Sequence, residues 1–331
     1  MAHIKRQKIA NPTSRRQAVQ TECTVSARQE EERWRKPGIH SLQQDVWTTI
    51  WTFAGRETVW QKALPGRKRN RKQSRMGENL VVTGMVLNAM PIGEYDKRIT
   101  ILTRERGKIT AFARGARKPT SQLLAATGPF SFGEFELYEG RSSYTVSKAV
   151  IRNYFRELAM DLEAAYYGFY FLEMADYYCQ ENSDEVAMLK LVYQSLRALE
   201  STSFDNRLVR AVFELKTYAI NGEAPNVFRC MRCGGTDRLS WFSPQTAGMV
   251  CEDCGVKHGR ELLYGYRKLT ESTVYTMQYV ISSPVEKLYN FSVSDQVLKE
   301  LSRLLSDYAG YHVGHAFKSL KILEETVSGK N

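Results

Sequence analysis

"RITILTRERGKITAFARG" runs from Arg98 to Gly115. Apolar and polar residues alternate on both sides of "RERG" (Arg104–Gly107), with Ile99 and Ile101 before it and Ile109 and Ala111 after it. A period of two bounded by a glycine turn is the signature of paired strands. Working outward, "LVVTGMVLNA" (Leu80–Ala89) is a strand that stops at Pro91 and Gly93. "FGEFELYEG" (Phe132–Gly140) alternates Phe135 and Leu137 around a glycine that marks a bulge, and "SYTVSKAVI" (Ser143–Ile151) is the fifth strand. Five strands in about seventy residues suit an oligonucleotide-binding (OB) barrel, with an SH3-like barrel as the structural alternative.

After Arg152 the period changes from 2 to 3.6. Leu158, Leu162, Ala165, Tyr166, Phe169 and Leu172 form an expected helical stripe. A second helix is expected from the caps Asn182 and Ser183, and a third from Asp205 to Asn221-Gly222. Three more are expected at about 270–282, 294–309 (stopped by Gly310) and 314–326. The predicted class is α+β: a five-stranded OB barrel over 76–152, then a helical bundle over 153–227 that carries a cysteine segment at 228–260 and is completed by helices over 261–331.

Four of the six cysteines lie between Cys230 and Cys254, spaced C-x2-C-x17-C-x2-C at Cys230, Cys233, Cys251 and Cys254. That spacing reads as a zinc ribbon. Each pair is followed by glycine, read here as needed for a sharp knuckle turn whose amides point at sulfur. "RLSWFS" and "GMVCE" are expected to pair as a hairpin between the knuckles. Four thiolates fill a tetrahedral ion, so one structural zinc is expected and not a catalytic centre. A redox dithiol belongs at a helix start after a strand, and a disulfide suits an oxidising compartment; neither context is evident. His258 is a substitute ligand or a solvated loop residue. Cys179 reads as a small buried hydrophobe.

The formal net charge is +11. Residues 1–75 hold 17 Lys+Arg against 6 Asp+Glu, so the whole excess lies there and the remainder balances. That segment also carries Trp34, Trp47, Trp51 and Trp60. It reads as a disordered extension, as a basic nucleic-acid arm centred on "GRKRNRKQSR" (Gly66–Arg75), or as a start assigned upstream of Met76. No apolar run is long enough to cross a membrane, and no secretory leader is evident, so a cytoplasmic protein is expected.

Within the neutral body, charge is clustered. Lys97, Arg98, Arg104, Arg106, Lys108, Arg114, Arg117 and Lys118 face only Asp96 and Glu105 in the same stretch. On an OB barrel such residues follow phosphates while aromatics stack on bases. Tyr95, Phe112, Tyr138 and Tyr144 are the candidate stackers, with core packing the stronger reading for Phe112. Phosphate-binding, dinucleotide and nucleophile-elbow motifs are absent from the sequence. His312 and His315 can share a helix face, but no third ligand is in reach. An enzyme is therefore not expected.

"PIGEYDKRITILTRERGKITAFARGARKPTSQL" (Pro91–Leu123) resembles the N-terminal domain of the RecO family of recombination mediators. The order of parts matches as well: barrel, bundle, CxxC–CxxC ribbon, and last helices with "YAGYHVGHAFKSLKIL". The resemblance covers Asn79 to about Val327. It implies binding to single- and double-stranded DNA, annealing of complementary strands, partnership with RecR, and action on DNA coated by single-strand-binding protein so that RecA loads. It implies a nucleoid-associated protein that consumes no cofactor. The alternative is a zinc-ribbon OB factor of transcription or translation, which would neither anneal DNA nor bind RecR.

Overall fold

The computed structural model describes residues 79–141, 143–258 and 265–328; the expectations for residues 1–75 lie outside the described residues. Five strands come first along the described chain: β1 (Asn79–Ile92), β2 (Asp96–Thr103), β3 (Gly107–Ala113), β4 (Phe132–Glu139) and β5 (Tyr144–Asn153). They close into a barrel in the order β1-β2-β3-β5-β4, with β4 returning to β1. All pairs are antiparallel except β3 with β5, where Ala111 pairs Tyr144 and Phe112 pairs Thr145. This Greek-key closure is that of the OB fold. Alternation sends Val82, Val86, Ile99, Ile101, Ile109, Ala111, Phe135, Leu137 and Val146 into the barrel. A short helix, α1 (Leu123–Ala126), lies between β3 and β4.

The bundle begins with α2 (Leu162–Tyr178), whose first turn is capped by Asp161 accepting from the amides of Glu163 and Ala164. It continues with α3 (Val186–Leu199) and α4 (Asn206–Ile220), the latter capped by Asp205 as expected. The predicted stripe on α2 does not describe its buried face. Leu162 is 62% exposed and Phe169 41%, while Ala164, Tyr167, Phe171, Met174 and Ala175 are buried. Leu158 belongs to a preceding 3-10 turn. The helix is apolar on nearly every side and packs against the barrel, α3, α4 and the last helix, so its periodicity carries little contrast.

The start of α3 also differs from expectation. Asn182 is not a cap but sits at φ 59°, donating its amide to Arg106 O at 2.9 Å. Residues 180–182 are recruited as a partner for the β2–β3 turn, with Lys108 N donating to Gln180 O at 2.9 Å and Gly107 bridged to Glu181. The helix starts only after this contact, at Val186. Gly107 has φ 64°, and a Cβ there would stand 2.4 Å from Gln180 O. The barrel thus docks on the bundle by a backbone contact that only glycine allows.

The ribbon sheet has the order β6 (Asn226–Cys230), β8 (Gly248–Cys251), β7 (Leu239–Ser243) and β9 (Arg267–Lys268). The expected hairpin is present as antiparallel β7–β8. The short α5 (Glu252–Lys257) follows β8 directly and carries the last cysteine, so Cys251 and Cys254 do lie at a helix start after a strand, contrary to expectation; the gathering of four sulfurs, not the local context, sets them apart from a redox pair. The chain then returns to the bundle as α6 (Glu271–Ser282), α7 (Asp295–His312) and α8 (Lys318–Ser328). Gly310 does not stop α7. A glycine inside a helix costs about 1 kcal/mol against alanine. Anchors around it offset that cost: the Tyr308 hydroxyl donates to Glu223 O, and His312 Nε2 bonds Pro244 O of the ribbon at 2.8 Å. His312 therefore ends the helix, and His315 lies beyond it stacked on Tyr177, so the two histidines share no helix face.

Candidate metal centre and nucleic-acid interface

β6, β8 and α5 bring Cys230, Cys233, Cys251 and Cys254 together, with all four sulfurs within 4.8 Å of one another. Cys233 Sγ and Cys251 Sγ are 3.7 Å apart. A tetrahedron with metal–sulfur bonds of about 2.3 Å has an edge of about 3.8 Å, so the cluster has the size of a tetrathiolate metal site. Burial alone would raise the Cys230 thiol, but amide donors from Cys251, Cys233 and Arg232 outweigh it and bring it down to about 6. Burial pushes Cys251 up, and Cys254, hydrogen-bonded to Cys251, goes up to about 12. The arrangement is compatible with four thiolates around one cation.

The two glycines after the knuckles do different work. Gly234 has φ 73°, the turn expected of it. Gly255 lies within α5 at an ordinary φ, and a Cβ there would stand 2.5 Å from Trp241 Nε1, so it is a close-approach glycine. His258 ends α5 and is not in the sulfur cluster. Cys179 is buried, as expected, and burial pushes its thiol up.

The eight basic residues divide between the two ends of the β2–β3 hairpin, about 20 Å apart at ~3.3 Å per residue. At the turn end, Arg104 pairs Glu105 at 2.7 Å, Arg106 reaches Glu139 at 3.8 Å, and Lys108 pairs Asp176 of α2 at 3.1 Å. Of the three, only Lys108 spans the junction with the bundle; the partners of Arg104 and Arg106 lie within the barrel. Arg114, Arg117 and Lys118 lie at the other end and are exposed. Arg117 donates from its backbone to Tyr95 O at 2.8 Å and from Nη1 to Gly93 O at 3.0 Å. Lys118 Nζ lies 5.3 Å from the centre of the Tyr95 ring. Lys97 turns inward at this end, donating to Leu124 O at 2.9 Å and Thr127 Oγ1 at 3.2 Å. Burial, with the charge of Arg117 adding to it, pushes the Lys97 ammonium below the usual lysine range.

Strand register extends this rim across the barrel wall. Met90 on β1 pairs Arg98, Arg98 pairs Phe112, Phe112 pairs Thr145, and Thr145 pairs Tyr138 on β4. All five point outward, since their strand neighbours fill the core. Tyr95 is 44% and Tyr138 45% exposed. Phe112 is half-buried on this outer row and not in the core, whereas Tyr144 is buried in the core.

Comparison with known proteins matches both regions of the chain. A family model described as "Recombination protein O N terminal" matches residues 76–155, and one described as "Recombination protein O C terminal" matches residues 159–321. The chain is 32% identical over 231 residues to a DNA repair protein RecO of Acetivibrio thermocellus, covering 69% of this chain and 90% of that one. It is 30% identical over 244 residues to that of Alkaliphilus metalliredigens, covering 73% and 97%. This chain belongs to the RecO family.

In this RecO-family chain the block Pro91–Leu123 has two roles. Its "RERGK" portion clamps the barrel to the bundle, and its "PIGEYD" and "ARGARK" portions meet as the basic rim. Sequence reading missed Met90, because Pro91 reads as a terminator although β1 continues through it to Ile92. At Pro91 β1 pairs only β2, its pairing with β4 having ended at Met85, so a residue without an N–H is tolerated there. Sequence reading also counted Asp96 only as a charge, although its carboxylate accepts the Gly115 amide at 2.7 Å. No local signal marks that contact, which spans 19 residues.

Proposed function

We propose that this RecO-family chain is a recombination mediator of DNA repair that binds DNA on the barrel and does its work by binding free energy. The observation that carries the reading is the rim of Arg98, Arg114, Arg117 and Lys118 beside the outward Tyr95, Phe112 and Tyr138. Basic groups neutralise phosphates and aromatic faces stack on bases, the combination that single-stranded binding requires. In this reading Lys97, Arg104, Arg106 and Lys108 hold the scaffold, and the other four contact DNA. One zinc ion held by Cys230, Cys233, Cys251 and Cys254 stabilises the ribbon. RecR, single-strand-binding protein and, indirectly, RecA are the partners proposed from the family, with strand annealing as the activity.

The test is a salt titration of oligonucleotide binding, run beside an annealing assay, with the triple change Arg114→Ala, Arg117→Ala and Lys118→Ala. Each phosphate contact adds about −0.7 to the log–log slope for a single strand, so the slope should flatten by roughly two units. Annealing should fall with it. An unchanged slope and unchanged annealing would move the site off the barrel.

A further inference from the structure

Asp96 is an acid in the middle of a basic rim. In a phosphate-binding surface its charge should repel the ligand, and at about 0.15 M salt a carboxylate still acts over roughly 8 Å. Its geometry gives it another role. The Asp96 carboxylate accepts the Gly115 amide at 2.7 Å. Gly115 lies within the turn that carries Arg114, Arg117 and Lys118, and its φ is 65°. Lys118 N donates to Gly115 O at 3.1 Å, so the turn is closed on itself. On the other side, Asp96 is the first residue of β2 and follows the Gly93–Tyr95 turn that receives both Arg117 contacts. One carboxylate therefore joins the two loops of the rim at the point where both change direction.

We infer that Asp96 is a positioning residue for DNA binding: its carboxylate fixes the "ARGARK" turn against the "PIGEYD" turn so that Arg114, Arg117 and Lys118 present one phosphate-spaced set. The inference rests on the reading that this rim binds DNA. A charged acceptor is used because its hydrogen bond to a backbone amide is roughly twice as strong as a neutral one. Pre-ordering the turn lowers the ordering cost of binding, which more than offsets the repulsion from one screened charge.

The two effects predict opposite signs. Removing a merely repulsive acid should tighten binding. Removing a positioning acid should weaken it. Asp96→Ala in the full chain is therefore expected to bind a single-stranded oligonucleotide about tenfold more weakly at 0.2 M salt, the loss of roughly two phosphate contacts, with a shallower salt slope. Asp96→Asn keeps a neutral, weaker acceptor for the Gly115 amide and is expected to rescue part of that loss. Tight binding by Asp96→Ala, equal to or better than wild type, would overturn the inference, as would equal weakening by both variants. Hydrogen exchange of the wild-type Gly115 amide gives a measure that does not depend on a variant folding; exchange at the rate of an open loop would also overturn it. The triple change at Arg114, Arg117 and Lys118, run alongside, separates the two readings. If the triple variant is weakened and Asp96→Ala is not, only the role of Asp96 fails. If the triple variant binds like wild type, the rim itself is not the DNA site and both fail.

Discussion

A Cβ placed on Gly107 would stand 2.4 Å from the Gln180 carbonyl oxygen and 2.8 Å from that of Ser183. Both obstacles are backbone, so neither can swing aside. Gly107→Ala should force the β2–β3 turn off residues 180–183 and cost about 2 kcal/mol or more, from overpacking and a left-handed alanine together. Thermal unfolding should report the loss, and amides near Gln180 should exchange faster. Oligonucleotide binding per folded molecule should stay near wild type, because the rim lies at the opposite end of the hairpin.

The sulfur cluster predicts one zinc per chain. Replacing Cys233 with serine should abolish stoichiometric metal and open the ribbon to hydrogen exchange over Val227–Val250. A bound metal should contribute strongly, since isolated zinc-finger peptides gain about 10–16 kcal/mol from it. The barrel core does not share side chains with the ribbon and should keep its protection. Protein purified without chelator that contains no metal by elemental analysis would contradict this.

Stacking and charge on the barrel are separable. Phe112→Ala and Tyr138→Ala should each weaken single-strand binding by about 1–3 kcal/mol per stacked base lost, with the salt slope unchanged. Duplex binding, in which bases are already stacked on one another, should be much less affected. A changed slope with no loss of affinity at high salt would mean these rings only pack under the arginines.

Acid should loosen the last helix. Burial alone would raise the Glu173 carboxyl, but the Ser319 hydroxyl and the amides of Ser319 and Lys318 donate to it, with the charge of His315 nearby, and hold it below the usual carboxylate range. A depressed folded value means that the cap contributes above the unfolded pKa and is lost as pH falls through the folded one. Glu173→Gln should therefore cost about 1 kcal/mol at pH 7. The gap between the variant and wild type should narrow below about pH 4. A gap independent of pH would show that the carboxylate is not the group that matters.

Much of this molecule is legible locally. Alternation in 98–115 places Ile99, Ile101, Ile109 and Ala111 inside and Arg98 and Phe112's neighbours in strands, because a period of two is a property of the extended backbone itself. Cys230 to Cys254 read as a ribbon because each C-x2-C knuckle can turn two sulfurs toward one point and the hairpin between them brings the two knuckles together. Asp205 caps a helix because its side chain reaches an amide two residues on. Other features needed the fold. Eight basic residues close in sequence became two groups, since a strand carries its ends about 20 Å apart and a partner such as Asp176 comes from another element. Phe112 lies outside because the barrel, not the residue type, decides which side of β3 faces the core. Leu162 and Phe169 are on an outer face because α2 is apolar nearly all round, and only its neighbours determine which side is covered. Asn182 left its helix because Arg106, 76 positions away, offered its amide a partner. Sequence settles what depends on neighbours a few bonds away; the tertiary structure settled which of two chemically equal faces, ends or partners was used.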